Sequence, residues 1–251
     1  MVHIVGAGCG AADLITLRGK RLIEEADVIV YAGSLVNPDL LAYAKPDCAF
    51  YDSAKMTLGE TTAVIEAAER AGKTTVRLHS GDPSLYGAIA EQMREFDRLG
   101  IPYDVTPGVS AFSGAAAALK IEYTQPELSQ TVIITRAAGK TPVPESESLS
   151  SLAAHGATMT LFLSAGLLRK VTEELTAGGM SPDTPAAIVY KASWPDEKIC
   201  RCTVGTLEET AAANGISKTA LIVAGPALGE NTARSKLYDP AFETGFREKS
   251  L

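Results

Sequence analysis

Cysteine, histidine and tryptophan are scarce: four, three and one among 251 residues. The cysteines, Cys9, Cys48, Cys200 and Cys202, are too few and too scattered for a disulfide scaffold. Cys200-x-Cys202 has no second Cys or His pair nearby, so it reads as two residues on one face of a strand rather than half a metal site. His3, His79 and His155 fit no metal-ligand spacing either, and no metal is expected. A basic excess is missing as well. Lys and Arg number 23 against 30 Asp and Glu, a net charge of −7, which disfavours nucleic acid as a partner. No apolar run approaches a membrane span, and the first strand pattern starts at residue 2, ahead of which no signal peptide fits. A cytoplasmic protein without a membrane partner is the expectation.

What is present is an α/β rhythm. Strand patterns fall at 2–5, 28–31, 49–51, 75–79 and 103–106, and helix patterns at 14–25, 38–44, 58–71, 85–99 and 110–119. Gly72 and Gly100 stand where helices stop. Alternation of this kind predicts crossover units and a mostly parallel sheet in an N-terminal domain, residues 1–120. The pattern breaks near 120–130 and restarts at 131–135. A polar stretch, 137–151, reads as a loop. Strands follow at 158–163, 186–190, 198–203 and 220–224, with helices at 167–177 and 207–213. The short link between 186–190 and 198–203 predicts an antiparallel pair, and so a mixed sheet in a second α/β domain, residues 121–230. Residues 231–251 read as a polar tail, docked or frayed.

Three side-chain-poor turns follow three of the first-half strands. They are Val5-Gly6-Ala7-Gly8-Cys9-Gly10, Ser80-Gly81-Asp82-Pro83-Ser84 and Pro107-Gly108-Val109-Ser110-Ala111. Open α/β sheets bind ligands at the carboxyl ends of their strands, so converging turns suggest a nucleoside-sized site. Gly6-x-Gly8-x-x-Ala11 formally fits a dinucleotide fingerprint. That fingerprint also needs an acid at the far end of the second strand, and Asp27 stands before it, which opposes a nicotinamide oxidoreductase. Asp82 is placed either as a helix N-cap with Pro83 first in the helix, or as a carboxylate near a ribose or cation; spacing leaves both open. Cys9 needs chiefly to be small, since a reactive thiol there lacks a neighbouring base.

These residues carry a resemblance. Val5 to Gly10 with Asp13-Leu14-Ile15-Thr16-Leu17-Arg18-Gly19 resembles the opening of the tetrapyrrole methylases, the S-adenosylmethionine-dependent enzymes of cobalamin and sirohaem synthesis. Ser80 to Gly87 resembles their second motif and Thr106 to Ala111 their third. Tyr31-Ala32-Gly33-Ser34-Leu35-Val36 and the segment from Thr135 to Glu145 resemble the branch that methylates carbon 11 of a corrin precursor. Many members have proline where this chain has Cys9. The resemblance implies two α/β domains with a ligand cleft between them, S-adenosyl-L-methionine as cofactor, S-adenosyl-L-homocysteine as product, and a homodimer. It implies that Cys9, Ser80, Gly81, Asp82, Leu85, Ser110 and Ala111, with Leu163 and Ala192 from the second domain, line the cofactor site. The polycarboxylate substrate needs cations, for which Arg136 and Lys140, then Lys55 and Arg18, are the candidates. No residue stands out as a proton acceptor. A sister enzyme acting at another ring carbon, and a non-catalytic tetrapyrrole carrier, are the neighbouring readings.

Overall fold

The computed structural model describes residues 1–230, 233 and 235–248. The chain divides into two compact units, Met1–Ala115 with Lys191–Glu197, and Ala116–Tyr190 with Lys198–Leu251.

In the first unit β1 (Val2–Gly6), β2 (Val28–Tyr31), β3 (Ala49–Asp52), β4 (Thr75–His79) and β5 (Tyr103–Thr106) form one parallel sheet in the order β3-β2-β4-β1-β5. Val2, Ile4, Val5, Val28, Ile29 and Val30 are all buried because helical layers cover both faces. One face packs Val5, Ile29 and Leu78 against Leu22 and Ile23 of α1 (Leu17–Glu25). The other packs Ile4 and Val30 against Ile65 of α2 (Leu58–Arg70) and Phe96 of α3 (Ile89–Leu99). Thr16 caps α1 by accepting from Gly19 N at 3.0 Å, and Thr57 with Glu60 forms a capping box on α2.

Three helix expectations change. The helix expected over 14–25 starts at Leu17, after a 3₁₀ turn at Ala12–Leu14. The one expected over 38–44 is 3₁₀, Pro38–Tyr43. The one expected over 85–99 starts only at Ile89, because Tyr86 and Ala88 take left-handed φ of 57° and 51°. Asp82 and Pro83 therefore do not open a helix; the Asp82 side chain instead accepts from Ser84 N at 2.8 Å in a local turn.

In the second unit β6 (Val132–Arg136), β7 (Thr158–Phe162), β8 (Pro185–Tyr190), β9 (Lys198–Thr203) and β10 (Ala220–Ala224) run β6-β7-β10-β8-β9. Only β6 and β7 are parallel, and β8 pairs β9 antiparallel as its short link requires. Met159, Leu161, Ile188 and Ile222 pack with Val171 and Leu175 of α6 (Leu168–Ala177) and Leu207 of α7 (Leu207–Ala213). The stretch expected as a loop, 137–151, holds a 3₁₀ turn at Glu145–Glu147 and the start of α5 (Leu149–Ala153), which Ser148 caps. The division between units falls inside α4 (Ala111–Leu119). Of the expected tail, residues 231, 232, 234 and 249–251 lie outside the described residues. Its described part carries a 3₁₀ turn at Lys236–Tyr238.

Candidate functional site

β4, β1 and β5 are adjacent in the sheet, and the register pairs Gly6 with His79 and Val5 with Thr106. The three glycine-bearing turns therefore leave the sheet side by side. The first two are joined by a pair of backbone bonds, Gly81 N to Gly8 O at 2.8 Å and Gly8 N to Gly81 O at 3.2 Å. The second and third are joined through Asp82, whose Oδ2 accepts from Gly108 N at 2.9 Å. First and third touch directly: a Cβ on Gly6 would lie 2.6 Å from Gly108 Cα, and one on Gly108 would lie 2.2 Å from Gly81 O. Gly81 is different. Its φ of +62° demands glycine, but a Cβ there would stand an ordinary 3.5 Å from Ala111 N.

Asp82 holds this junction from both oxygens, with Oδ1 also taking the Ser84 hydroxyl. Partial burial alone would raise its carboxyl. The bonds from the Ser84 hydroxyl, Gly108 N–H and Ser84 N–H outweigh burial and leave it below the usual carboxylate range. Around the junction Ser80, Leu85 and Ala111 are half-buried, while Ser110 is buried at the start of α4.

Cys9 faces α4, where a Cβ on Gly114 would come within 2.8 Å of its sulfur. Ala192 belongs to the first unit, not the second, and its carbonyl would stand 2.4 Å from a Cβ on Gly10. Beside it, Ser193 Oγ accepts from Ala11 N at 3.0 Å and lies 3.4 Å from Cys9 Sγ. Lys191 and Ser193 have φ of 48° and 65°, a strained turn that Glu197 steadies by accepting from Ser193 N at 2.6 Å. Ser193 was missed by the sequence reading, as was Asn37, whose buried amide donates to Gly10 O at 3.0 Å. Neither carries a motif; each is recognisable only from the strand-end loop it closes.

In the second unit, Leu163 follows β7 with a φ of 52° and is 65% exposed. Its neighbour Ser164 accepts from Ala137 N at 2.8 Å, which ties the Leu163 turn to the end of β6, where Arg136 sits. Arg136 donates to the carbonyls of Ala137, Thr141 and Pro142, so its guanidinium organises its own loop. Lys140, Lys55 and Arg18 are exposed. Asp27 accepts from Lys45 Nζ at 2.5 Å and Thr74 N at 2.8 Å, a strand-start role that removes the ribose-binding acid from the nicotinamide reading. His79 ends β4 buried, its Nε2 without a partner among the described residues; burial, then the Arg77 charge, push its pKa down to about 3. Among the described residues no group of three or more His, Cys, Asp or Glu side chains could hold a metal ion.

The junction is built of backbone and mostly small or apolar side chains, and a Cβ on Gly81 would meet Ala111 N and Ser110 Cα at ordinary van der Waals distances of 3.5 and 3.7 Å.

The sequence model of the tetrapyrrole (corrin/porphyrin) methylases matches residues 1–208. A cobalt-precorrin-4 C(11)-methyltransferase of Methanocaldococcus jannaschii is 52% identical over 98% of this chain and 96% of its own. The X-ray structure of a cobalamin biosynthetic enzyme, cobalt precorrin-4 methyltransferase, superposes with a TM-score of 0.89 at 49% identity, covering 91% of this chain and 96% of that one. Uroporphyrin-III C-methyltransferase of Thermus thermophilus, complexed with S-adenosyl homocysteine, gives a TM-score of 0.76 at 28% identity, over 90% and 98%. No helix among the described residues is long and apolar enough to cross a membrane.

Proposed function

The chain belongs to the tetrapyrrole (corrin/porphyrin) methylases, and on that premise we propose that it transfers a methyl group from S-adenosyl-L-methionine to carbon 11 of precorrin-4, metal-free or cobalt-bearing, in cobalamin biosynthesis. The observation that carries the reading is the three-turn junction at the ends of β4, β1 and β5, in a chain about half identical to a relative of that name over nearly its full length.

When bound, the cofactor supplies an electrophilic methyl group on a sulfonium, which leaves as a neutral thioether. The chain's own task is therefore alignment, an effect worth up to ~7–11 kcal/mol in intramolecular models. In this proposal Ser80, Gly81 and Asp82 hold the methionine and ribose end. Leu85, Ser110, Ala111, Cys9 and Ala192 line the rest, and Leu163 is assigned to adenine on resemblance. The scarcity of charged side chains at the junction suits a site whose positive charge falls as the reaction proceeds. Asp82 is the exception, and its charge is shared among three donors.

Lys140, Lys55 and Arg18 are proposed to meet carboxylates of the substrate. Arg136 is proposed to act by shaping the loop that carries Lys140. A cytoplasmic homodimer belongs to the same proposal; light scattering on the purified protein checks the dimer.

The test is incubation with methyl-labelled cofactor and each form of the macrocycle, with mass spectrometry and NMR to locate the new carbon. Label at carbon 11 supports the reading. Label at another carbon identifies a sister enzyme, and S-adenosyl-L-homocysteine failing to bind at all overturns the methyltransferase assignment.

A further inference from the structure

Arg77 lies within β4, a central strand of the first sheet, and is 7% exposed. A cation in that place is costly unless it is compensated. Its partners are neutral: Nε donates to Gln92 Oε1 at 2.9 Å and Nη1 to Val30 O at 3.2 Å. No carboxylate among the described residues comes within ion-pair distance of it. Burial draws its pKa down to about 10, which leaves it charged at neutral pH.

A cleft of about 170 Å³ opens beside this guanidinium. Ser53, Thr57, Thr61 and Gln92 line it, with the first turn of α2 at Leu58; the Ser53 hydroxyl donates to Tyr31 O at 3.1 Å and that of Thr57 to Glu60 at 2.8 Å. The positive end of that helix is already capped by the Glu60 carboxylate, which accepts from Thr57 N at 2.7 Å, so the cation facing the cleft is Arg77. Glu91 also lines the cleft and is exposed. Lys55, exposed and without an ion pair among the described residues, sits between Ser53 and Thr57.

The cleft also adjoins the three-turn junction through the chain itself. Its wall at Gly87 and Ala88 is the continuation of the Ser80–Leu85 turn. That wall is held tightly: a Cβ on Gly87 would lie 2.2 Å from Pro83 O, and Ala88 O accepts from Gln92 Nε2 at 3.2 Å. Tyr86 and Ala88 keep left-handed backbone there, in the manner of strained residues at ligand sites.

We propose that this cleft is a carboxylate subsite, in which Arg77, with the hydroxyl of Thr61, receives one acid arm of the polycarboxylate macrocycle. The assignment of the arm rests on the function proposed above. The occupant would supply a counter-charge to a buried cation that has none among the described residues, and so a short alkyl carboxylate is the matching chemistry.

The test uses the full chain and propionate as probe, with the Arg77 Nε–H resonance followed by NMR, beside steady-state kinetics with precorrin-4. Saturable movement of that resonance is expected. Arg77→Gln should raise KM by about tenfold or more while S-adenosyl-L-homocysteine affinity, measured by calorimetry, changes less than about twofold. Should Arg77→Gln fail to fold, the near-isosteric Thr61→Val should still raise KM by about two- to fivefold. Wild-type turnover tests the functional reading on its own. With turnover intact, an Arg77 resonance indifferent to propionate, or an unchanged KM in Thr61→Val, overturns the subsite and leaves that reading standing.

Discussion

Gly108→Ala is among the most severe single-methyl changes this structure predicts. The added carbon would lie 2.2 Å from Gly81 O and 2.8 Å from Gly6 Cα, both backbone atoms that no rotamer change can move. Relief requires the third turn to withdraw by about 1 Å, since nonbonded carbon contacts settle near ~3.5 Å. Overpacking of this kind costs about 1–3 kcal/mol. Withdrawal also stretches the bond from Gly108 N to Asp82, 2.9 Å as it stands, and a hydrogen bond to a charged group contributes about 1.5–3 kcal/mol. The expected loss is about 2.5–6 kcal/mol by urea unfolding, with S-adenosyl-L-homocysteine binding weakened at least about tenfold in calorimetry. Two other glycines calibrate the measurement. Gly81→Ala has room for its methyl and suffers only the left-handed backbone, about 1–2 kcal/mol. Gly59→Ala, with nothing within 4 Å on the surface of α2, should be neutral or stabilising by up to about 1 kcal/mol. A Gly108→Ala protein as stable as wild type, or less perturbed than Gly81→Ala, would refute the argument from backbone contact.

Asp82→Asn keeps the shape but turns an amide donor toward Ser84 or the Gly108 N–H, and should cost about 1.5–3 kcal/mol. Because the Asp82 carboxyl is held below its usual value, its contribution is complete above the unfolded carboxylate pKa, about 3.9, and disappears as pH falls through the folded value; the Asn variant should lack that acid-side loss in urea titrations. His79 behaves in the opposite chemical sense with the same outcome. Its folded pKa of about 3 lies far below the unfolded one near 6.5, so the unfolded chain binds the extra proton and stability falls by about 1.4 kcal/mol per pH unit on going down between them. Its ring signals should not titrate between pH 8 and 4 by NMR; a midpoint in that range contradicts the buried, neutral assignment. Arg136→Ala should raise KM for the macrocycle and expose 137–148 to limited proteolysis, with cofactor affinity near normal. Arg136→Lys should not rescue it, because one ammonium cannot span three carbonyls; full rescue by lysine points instead to a charge acting directly on substrate.

Much of the fold was legible in residue order. Strands such as 28–31 and 198–203 declare themselves because a covered parallel strand is a continuous apolar run, and an antiparallel partner follows a short link. Helix onsets were less legible. Asp82-Pro83 has the composition of a helix start, yet Asp82 bonds to Gly108, twenty-six residues on, and the backbone turns left-handed before α3 can begin. The helix at Leu149–Ala153 was hidden in a polar stretch because five residues are too few to show a period.

Local sequence determined that three strands would end in small, flexible turns, and family-like motifs named the chemistry those turns serve. Only the tertiary structure decided what each glycine is for. Gly6 and Gly108 are empty of side chain so that two backbones a hundred residues apart can touch, whereas Gly81 is glycine for its φ. Tertiary structure also carried Ala192 and Ser193 back to the first unit and left Arg77 charged among neutral partners. Close approach and missing counter-charge are properties of pairs distant in the chain, and no window along a single strand of residues contains both members.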